Sequence, residues 1–503
     1  MTTTTTDIRL LGNYIGGRWV PSAAGEQLDV TNPATGEVLA RVPLSTAQDV
    51  DAAVRAARDA FPAWRSRSTI ERARWLFGFR QVMERHQDEI AQSVTREMGK
   101  TLGDARAEVG RAIEMIEAAS AVPQTMQGRV LENVATAVDC ETFRQPVGVC
   151  AAIAPFNFPA MVPFWFLPFA IACGNTFILK PSEQVPLTQE LVFRLIDEHG
   201  GLPEGVVNLV NGAAGVVNGI LDHPGIDAVS FVGSAKVARH VYERAAANGK
   251  RVQALGGAKN FMVVMPDAVI EKTVGNIIGS AFGAAGQRCM AGSVVIAVGD
   301  AHRPLLDELV PRTQQLTVGD GSDQGTDVGP VISTTARDRI NGWIEQGVAG
   351  GASLLVDGRR ASANSGGAFV GPTILDGVTP DMEIAQEEVF GPVLSVIHAD
   401  SLDDAIDIVN GSRYGNGTSI FTESGAAVRR YRHDVEVGMI GVNIGVAAPV
   451  AFFPFSGWKG SFFGDLHAHG ADAIEFYTRK KTVTSRFFSS GPSGPFFVED
   501  TGR

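Results

Sequence analysis

Apolar positions recur three and four residues apart over residues 47–64, 69–98 and 104–121, and that period predicts three amphipathic helices. Lys100 and Gly103 mark a stop between the second and the third. Ahead of them, residues 12–30 mix turn signals with short apolar runs, which predicts a β-rich start, and residues 130–143 predict a strand without strong alternation. From residue 147 the texture changes. Apolar runs at 147–154, 176–179, 206–210, 228–232, 251–255 and 261–265 predict strands, with helical stretches such as 187–198 and 235–247 between them. That alternation predicts a parallel, doubly wound sheet, whose ligands bind beyond the carboxyl ends of the strands. A second alternating region spans 273–443. The Gly- and Ser-rich stretch 361–368 predicts a surface loop. The tail from residue 487, rich in Gly, Ser, Pro and Phe, suits a segment that wraps a partner subunit or stays partly disordered.

One segment imitates a membrane span, because no charged residue occurs from Gln145 through Leu179. It also holds Pro146, Pro155, Pro159, Pro163 and Pro168, which would break a lone helix and leave carbonyls unpaired in lipid. The segment therefore predicts a buried strand, a turn, a buried helix and a second strand. At 503 residues the chain is long enough for two to four domains of about 100–200 residues each. Its 43 basic and 55 acidic residues leave a net charge of −12, a poor basis for general nucleic-acid binding. The four cysteines contain no C-x-x-C pair, so neither a disulfide framework nor a zinc site is expected. His467 and His469 fit surface residues better than metal ligands. Met1 to Asp7 lacks the layout of a signal peptide, and a reducing cytoplasm is the expected compartment.

Four places carry candidate chemistry. Small residues crowd the backbone before Cys289, and Arg288 beside it could stabilise a thiolate, though a buried cysteine is more often inert. Cys140, Cys150 and Cys173 lie in apolar runs and read as inert. In Pro155-Phe156-Asn157-Phe158-Pro159 a lone Asn ends a buried strand; unpartnered, it costs about 1–3 kcal/mol, and its amide either satisfies the turn or awaits an oxyanion. Leu179-Lys180-Pro181-Ser182-Glu183 offers Lys and Glu at a strand end, which suits ribose hydroxyls or an ordinary loop equally. In Phe231-Val232-Gly233-Ser234, Gly233 permits close backbone approach and Ser234 reads as an N-cap or a phosphate contact.

In chain order (the Asn157 turn, the Lys180 and Ser234 runs, then Cys289), and with Glu387-Glu388-Val389-Phe390-Gly391-Pro392 further on, these motifs resemble the aldehyde dehydrogenase superfamily over essentially the whole chain. The resemblance implies an α/β fold with a Rossmann-like NAD domain (1–123 and 146–255), an α/β catalytic domain (256–445) and a small β oligomerisation flap with its tail (124–145 and 475–503), while 446–474 packs back on the NAD domain. It implies Cys289 as nucleophile, with Asn157 and the Cys289 N–H as the oxyanion hole. Lys180 and Glu183, with Gln184 adjacent, would hold the adenosine ribose of NAD. Ser234 would face the pyrophosphate, with Gly233 and Gly256 also at the cofactor, Glu388 at the nicotinamide ribose, Phe390 near the nicotinamide, and Ala154 and Phe156 along the cleft. A homotetramer built from dimers is implied as well.

One departure narrows the expectation. Hydrolytic members carry Glu-Leu-Gly-Gly, whose Glu activates water; here the run is Ala254-Leu255-Gly256-Gly257. General-base help is worth about 10²–10⁴-fold, so a Cys289 thioester should hydrolyse slowly and a thiol acceptor becomes attractive. Gly257-Ala258-Lys259-Asn260, Val264-Met265-Pro266-Asp267, Gly286-Gln287-Arg288-Cys289-Met290 and Tyr414-Gly415-Asn416-Gly417-Thr418 resemble the CoA-acylating methylmalonate-semialdehyde dehydrogenase branch. That branch implies NAD as cofactor, coenzyme A as co-substrate, and Arg111 with Arg288 on the substrate carboxylate. The other reading of Arg111 is a helix-surface partner of Glu108 or Glu114. Gln184 and Phe261 depart from the branch pattern, in which Arg and His are frequent. A hydrolytic enzyme releasing a free acid is the alternative.

Overall fold

The computed structural model describes residues 8–364 and 366–487; the threonine run, Ser365 and the tail from residue 488 lie outside the described residues. An eight-stranded sheet has at its centre five parallel strands in the spatial order Val207–Leu209, Thr176–Lys180, Val149–Ile153, Ala228–Val232, Arg251–Leu255. In chain order that is 3-2-1-4-5. The order reverses between Val149–Ile153 and Ala228–Val232, which opens a crevice at their carboxyl ends. The edges are antiparallel: Asn13–Ile15 and Arg18–Val20 on one side, Phe462–Gly464 on the other.

The second sheet has seven strands, of which Asn260–Val264, Gly292–Val298, Thr373–Asp376, Val393–Ala399, Gly417–Phe421 and Met439–Val442 run parallel. Both sheets read as continuous apolar runs because helices cover both faces. A third, antiparallel sheet joins Val130–Ala135 and Val138–Pro146 to Thr478–Arg486, with Thr478 opposite Pro146. The mixed α/β architecture is the one expected.

Several details differ from expectation, each for a local reason. The 69–98 helix is two helices, Thr69–Arg85 and Gln87–Met98, parted by His86 at φ −104°, ψ 14°. One non-helical residue leaves the apolar period intact, so the pattern reads through the break. Residues 130–143 form a hairpin rather than one strand; its turn uses Ala137 at φ 59° and an Asn133 side chain accepting from Ala137 N (3.1 Å), with no Gly or Pro to announce it. The single buried helix is two short ones, Met161–Phe164 and Leu167–Ala172, the second opened by Pro168. Gly358–Asn364 is a 3-10 helix, not loop. Among the described residues no helix is long and apolar enough to cross a membrane.

Asn175 ties these pieces together. It is fully buried, accepts from Gly148 N (2.9 Å), and donates to Ala170 O (3.0 Å) and Tyr477 O (2.9 Å). Asn175→Ala removes the partner of Gly148 N and Tyr477 O, while Ala170 O keeps the backbone N–H of residue 175 (3.0 Å), and we expect a loss of about 2–4 kcal/mol in urea unfolding; a loss under about 1 kcal/mol would show that the junction is held by packing alone.

Candidate active site

Cys289 sits in the turn before Gly292–Val298, at the amino ends of the second sheet. Its carbonyl accepts from Asn260 Nδ2 (2.8 Å) and Asn416 Nδ2 (2.9 Å), both at the starts of neighbouring strands. The chain reaches it through three consecutive left-handed residues, Ala284 (φ 49°), Ala285 (φ 53°) and Gly286 (φ 69°). Each alanine there costs about 1–2 kcal/mol, so the turn must be held from outside. Asp104 Oδ2 accepts from Ala284 N (3.0 Å), and Gln287 Oε1 accepts from Ile332 N (3.0 Å). Gly286 leaves no choice of side chain, since a Cβ there would lie 2.2 Å from Gly391 O.

Asn157 follows the Val149–Ile153 strand and is buried. Its Nδ2 donates to Gln287 O (2.9 Å), leaving its second N–H for a ligand. Its own carbonyl accepts from Lys100 Nζ (2.7 Å). Lys100 also pairs with Glu108 (2.6 Å) and lies over the Phe158 ring at 4.0 Å. The other Glu108 oxygen accepts from Ala160 N (2.7 Å) and Met161 N (3.0 Å).

Two cavities open onto this centre. A 720 Å³ cleft gathers the residues expected on the cofactor side. Ala154, Phe156, Asn157, Lys180, Glu183 and Gln184 line it from the first two strand ends, Gly233, Ser234 and Gly256 from the next two, and Glu388 and Phe390 from the opposite wall. Lys180 pairs with Glu183 (2.8 Å). Ser234 is the N-cap residue of Ala235–Ala247 but makes no side-chain cap bond, so its hydroxyl is not committed to the helix. Phe156 and Phe390 meet edge to face at 5.8 Å.

A separate 250 Å³ cavity holds Arg111 and Arg288, among walls that include Met115, Met161, Trp165 and Phe455. Arg111 does pair with Glu114 (2.6 Å), yet it still lines this cavity; Glu108 belongs to Lys100 instead. Arg288 pairs with Asp104 (2.7 Å). Among the described residues Cys289 alone lines both spaces.

The model of the Aldehyde dehydrogenase family matches residues 19–483. The chain belongs to the aldehyde dehydrogenase family. It is 53% identical over 482 residues to Malonate-semialdehyde dehydrogenase 2 of Geobacillus thermodenitrificans, covering 96% of this chain and 100% of that one. Among solved structures, the methylmalonate-semialdehyde dehydrogenase of Oceanimonas doudoroffii superposes with a TM-score of 0.94 at 45% identity, over 96% of this chain and 99% of that one. The NAD complex of a Sinorhizobium meliloti protein assigned to the same activity gives a TM-score of 0.94 at 43% identity, over 97% and 99%.

Four carboxylates line the two spaces: Glu183, Glu388, Asp104 and Glu108. Three are paired with Lys180, Arg288 and Lys100. Glu388 faces the Ala258 N–H (3.1 Å), and burial pushes its carboxyl up to about 7. Ala254 is fully buried in the sheet, opposite Phe231 and Phe463. Behind Glu388, Lys259 donates to Ile384 O (2.7 Å) and Glu387 O (2.9 Å) and is drawn down to about 8 by burial.

Two expectations need correction. Arg288 is not what sets the Cys289 thiol: burial, reinforced by the negative charge of Glu388, pushes it up to about 12, and the pull of Arg288 is the weakest influence. His469 is not a surface residue; it is buried, donates Nδ1–H to Phe453 O (2.7 Å) and lines the cavity of the arginines, while His467 is half-buried against Asp472. Cys150 and Cys173 are buried thiols raised by desolvation, as inert cysteines should be. Lys100, Glu108, Asp104 and Lys259 went unrecognised as site supports in the sequence, since none sits in a motif with its partner.

Because the folded thiol lies above neutral pH, the protonated form dominates in the unliganded enzyme. Iodoacetamide labelling of Cys289, followed by peptide mass, is expected to accelerate continuously from pH 7 to 10. A plateau below pH 8 would mean that a nearby cation governs the thiol after all.

Proposed function

We propose that this chain is an NAD-dependent, CoA-acylating dehydrogenase of malonate semialdehyde and methylmalonate semialdehyde. The observation that carries the reading is that, among the described residues, Cys289 alone lines both the 720 Å³ cleft and the cavity holding two guanidiniums. An aldehyde with a free carboxylate, placed in that cavity, would lie with its charge on Arg111 and Arg288 and its carbonyl at the sulfur. The names of the relatives support the same substrate class, and the NAD complex of a similar protein supports the cofactor.

In this reading Cys289 attacks the aldehyde carbon as thiolate. The second Asn157 N–H and the Cys289 N–H take the developing oxyanion. Lys180, Glu183, Ser234 and Glu388 would hold NAD, which would supply the hydride acceptor, so that Cys289 is left carrying a thioester. The thioacyl group is of the malonyl type, so its carbonyl can take the electrons as CO₂ departs, and a proton from water then converts the enolate to the acetyl or propionyl thioester. The CoA thiol then displaces Cys289, giving acetyl-CoA or propionyl-CoA. Ala254 offers no base, three of the four wall carboxylates are committed to Lys180, Arg288 and Lys100, and Glu388 is taken up by the nicotinamide ribose in this reading, which leaves water poorly activated.

We read residues 1–123 and 146–255 as the NAD-binding domain and 256–445 as the catalytic domain. Residues 124–145 and 475–503 serve as oligomerisation flap and tail of a cytoplasmic homotetramer, and the exposed Val130, Leu131 and Val134 on the flap support that use.

The test is NADH formation from each semialdehyde with and without CoA, with products identified by mass. CoA-dependent turnover to acyl-CoA is expected; a free acid formed equally well without CoA would overturn the acylating reading. Cys289→Ala should abolish NADH formation. Arg111→Leu should raise the semialdehyde KM about tenfold or more with little change in the KM for NAD; equal effects on both would remove Arg111 from the carboxylate site.

A further inference from the structure

Every cation on the arginine cavity already has an internal carboxylate: Arg111 has Glu114, Arg288 has Asp104, and Lys100 behind the wall has Glu108. A substrate carboxylate therefore meets guanidiniums that are partly satisfied. Asp104 differs from the other two acids in what else it holds. It stands in the first turn of Leu102–Ser120, its own N–H donating to Thr101 Oγ1 (3.2 Å). Oδ1 accepts from Arg288 Nη2 (2.7 Å), and Oδ2 accepts from Ala284 N (3.0 Å), the first left-handed residue before Cys289. The same guanidinium lies against Gly283, where a Cβ would fall 2.5 Å from Nη1, and donates to Gly279 O (3.1 Å). One carboxylate thus fixes both the strained approach to the nucleophile and the orientation of the arginine next to it.

Resting on the carboxylate reading of the site, we propose that Asp104 is a positioning residue that sets Cys289 and Arg288 relative to each other, and that by occupying Arg288 it holds carboxylate affinity below what the two arginines could give. Nucleophile geometry and carboxylate affinity are then opposed through a single side chain. The product carries no carboxylate at that place once CO₂ has left, so the Asp104–Arg288 pair closes again behind it.

The experiment compares wild type, D104N and D104S for turnover of malonate semialdehyde and for inhibition by malonate, a dicarboxylate with no aldehyde to react. Both variants remove the charge and keep an acceptor near Ala284 N, and the partly exposed position favours folding of at least one. Expected are a kcat lower by about tenfold or more, malonate inhibition tighter by about two- to fivefold, and an unchanged KM for NAD. A merely structural role would lower kcat and weaken malonate together. Malonate inhibition unchanged or weaker in folded variants, with the wild type inhibited, overturns the role of Asp104 alone. A wild type insensitive to malonate overturns the carboxylate reading and this proposal with it.

Discussion

The buried Lys100–Glu108 pair is the constraint on which the centre depends. Both side chains are wholly shielded from solvent. Removing two such ions from water costs several kcal/mol each, and only near-complete satisfaction offsets it. Here it is near complete: the ammonium has Glu108, the Asn157 carbonyl and the face of Phe158, and both carboxylate oxygens are used. Those partners are the oxyanion turn itself. Any shift of Asn157 would leave a buried charge underpaired, so the pair converts a flexible turn into a rigid one. Gly99, at φ 94°, lets the chain bend into Lys100 where a Cβ would strike Pro330 at 2.6 Å.

Rigidity passes from that pair to the nucleophile in identifiable steps. Asn157 Nδ2 holds Gln287 O, Gln287 Oε1 holds Ile332 N, and Asn260 and Asn416 close on Cys289 O. The oxyanion donor and the sulfur are therefore referenced to one another through the backbone of residues 287–289 rather than through a loop tip. Pre-organisation of this kind lets hydrogen bonds favour the transition state without reorganising during reaction.

What the sequence made legible follows from how local each signal is. The parallel strands were readable because each is a short apolar run, whereas the Cys289, Asn157, Lys180 and Glu388 motifs pointed to a site only through their joint resemblance to one family. The hairpin turn at Ala137 and the break at His86 were not, because neither carries Gly or Pro nor disturbs the apolar period. The site supports were invisible for a different reason. Asp104 meets Arg288 across 184 positions, and Lys100 meets Asn157 across 57. Each looks like a solvated helix-end charge until the fold supplies its partner. His469 looked like half of a surface pair, and only the fold buries it.

The same long-range pairing explains why a thiol pushed up to about 12 is compatible with a nucleophile. The shift comes from desolvation and from the negative charge of Glu388, while the guanidinium of Arg288, the next residue in the chain, is paired with Asp104. The two guanidiniums of the smaller cavity, Arg111 and Arg288, are each matched by an acid, so neither acts on the sulfur as a bare charge. An unreactive resting thiol is less exposed to oxidation, which proceeds through the thiolate. In the proposed reaction the sulfur therefore has to ionise only beside the carbonyl it attacks, where the Asn157 and Cys289 N–H groups take the charge as it passes to oxygen.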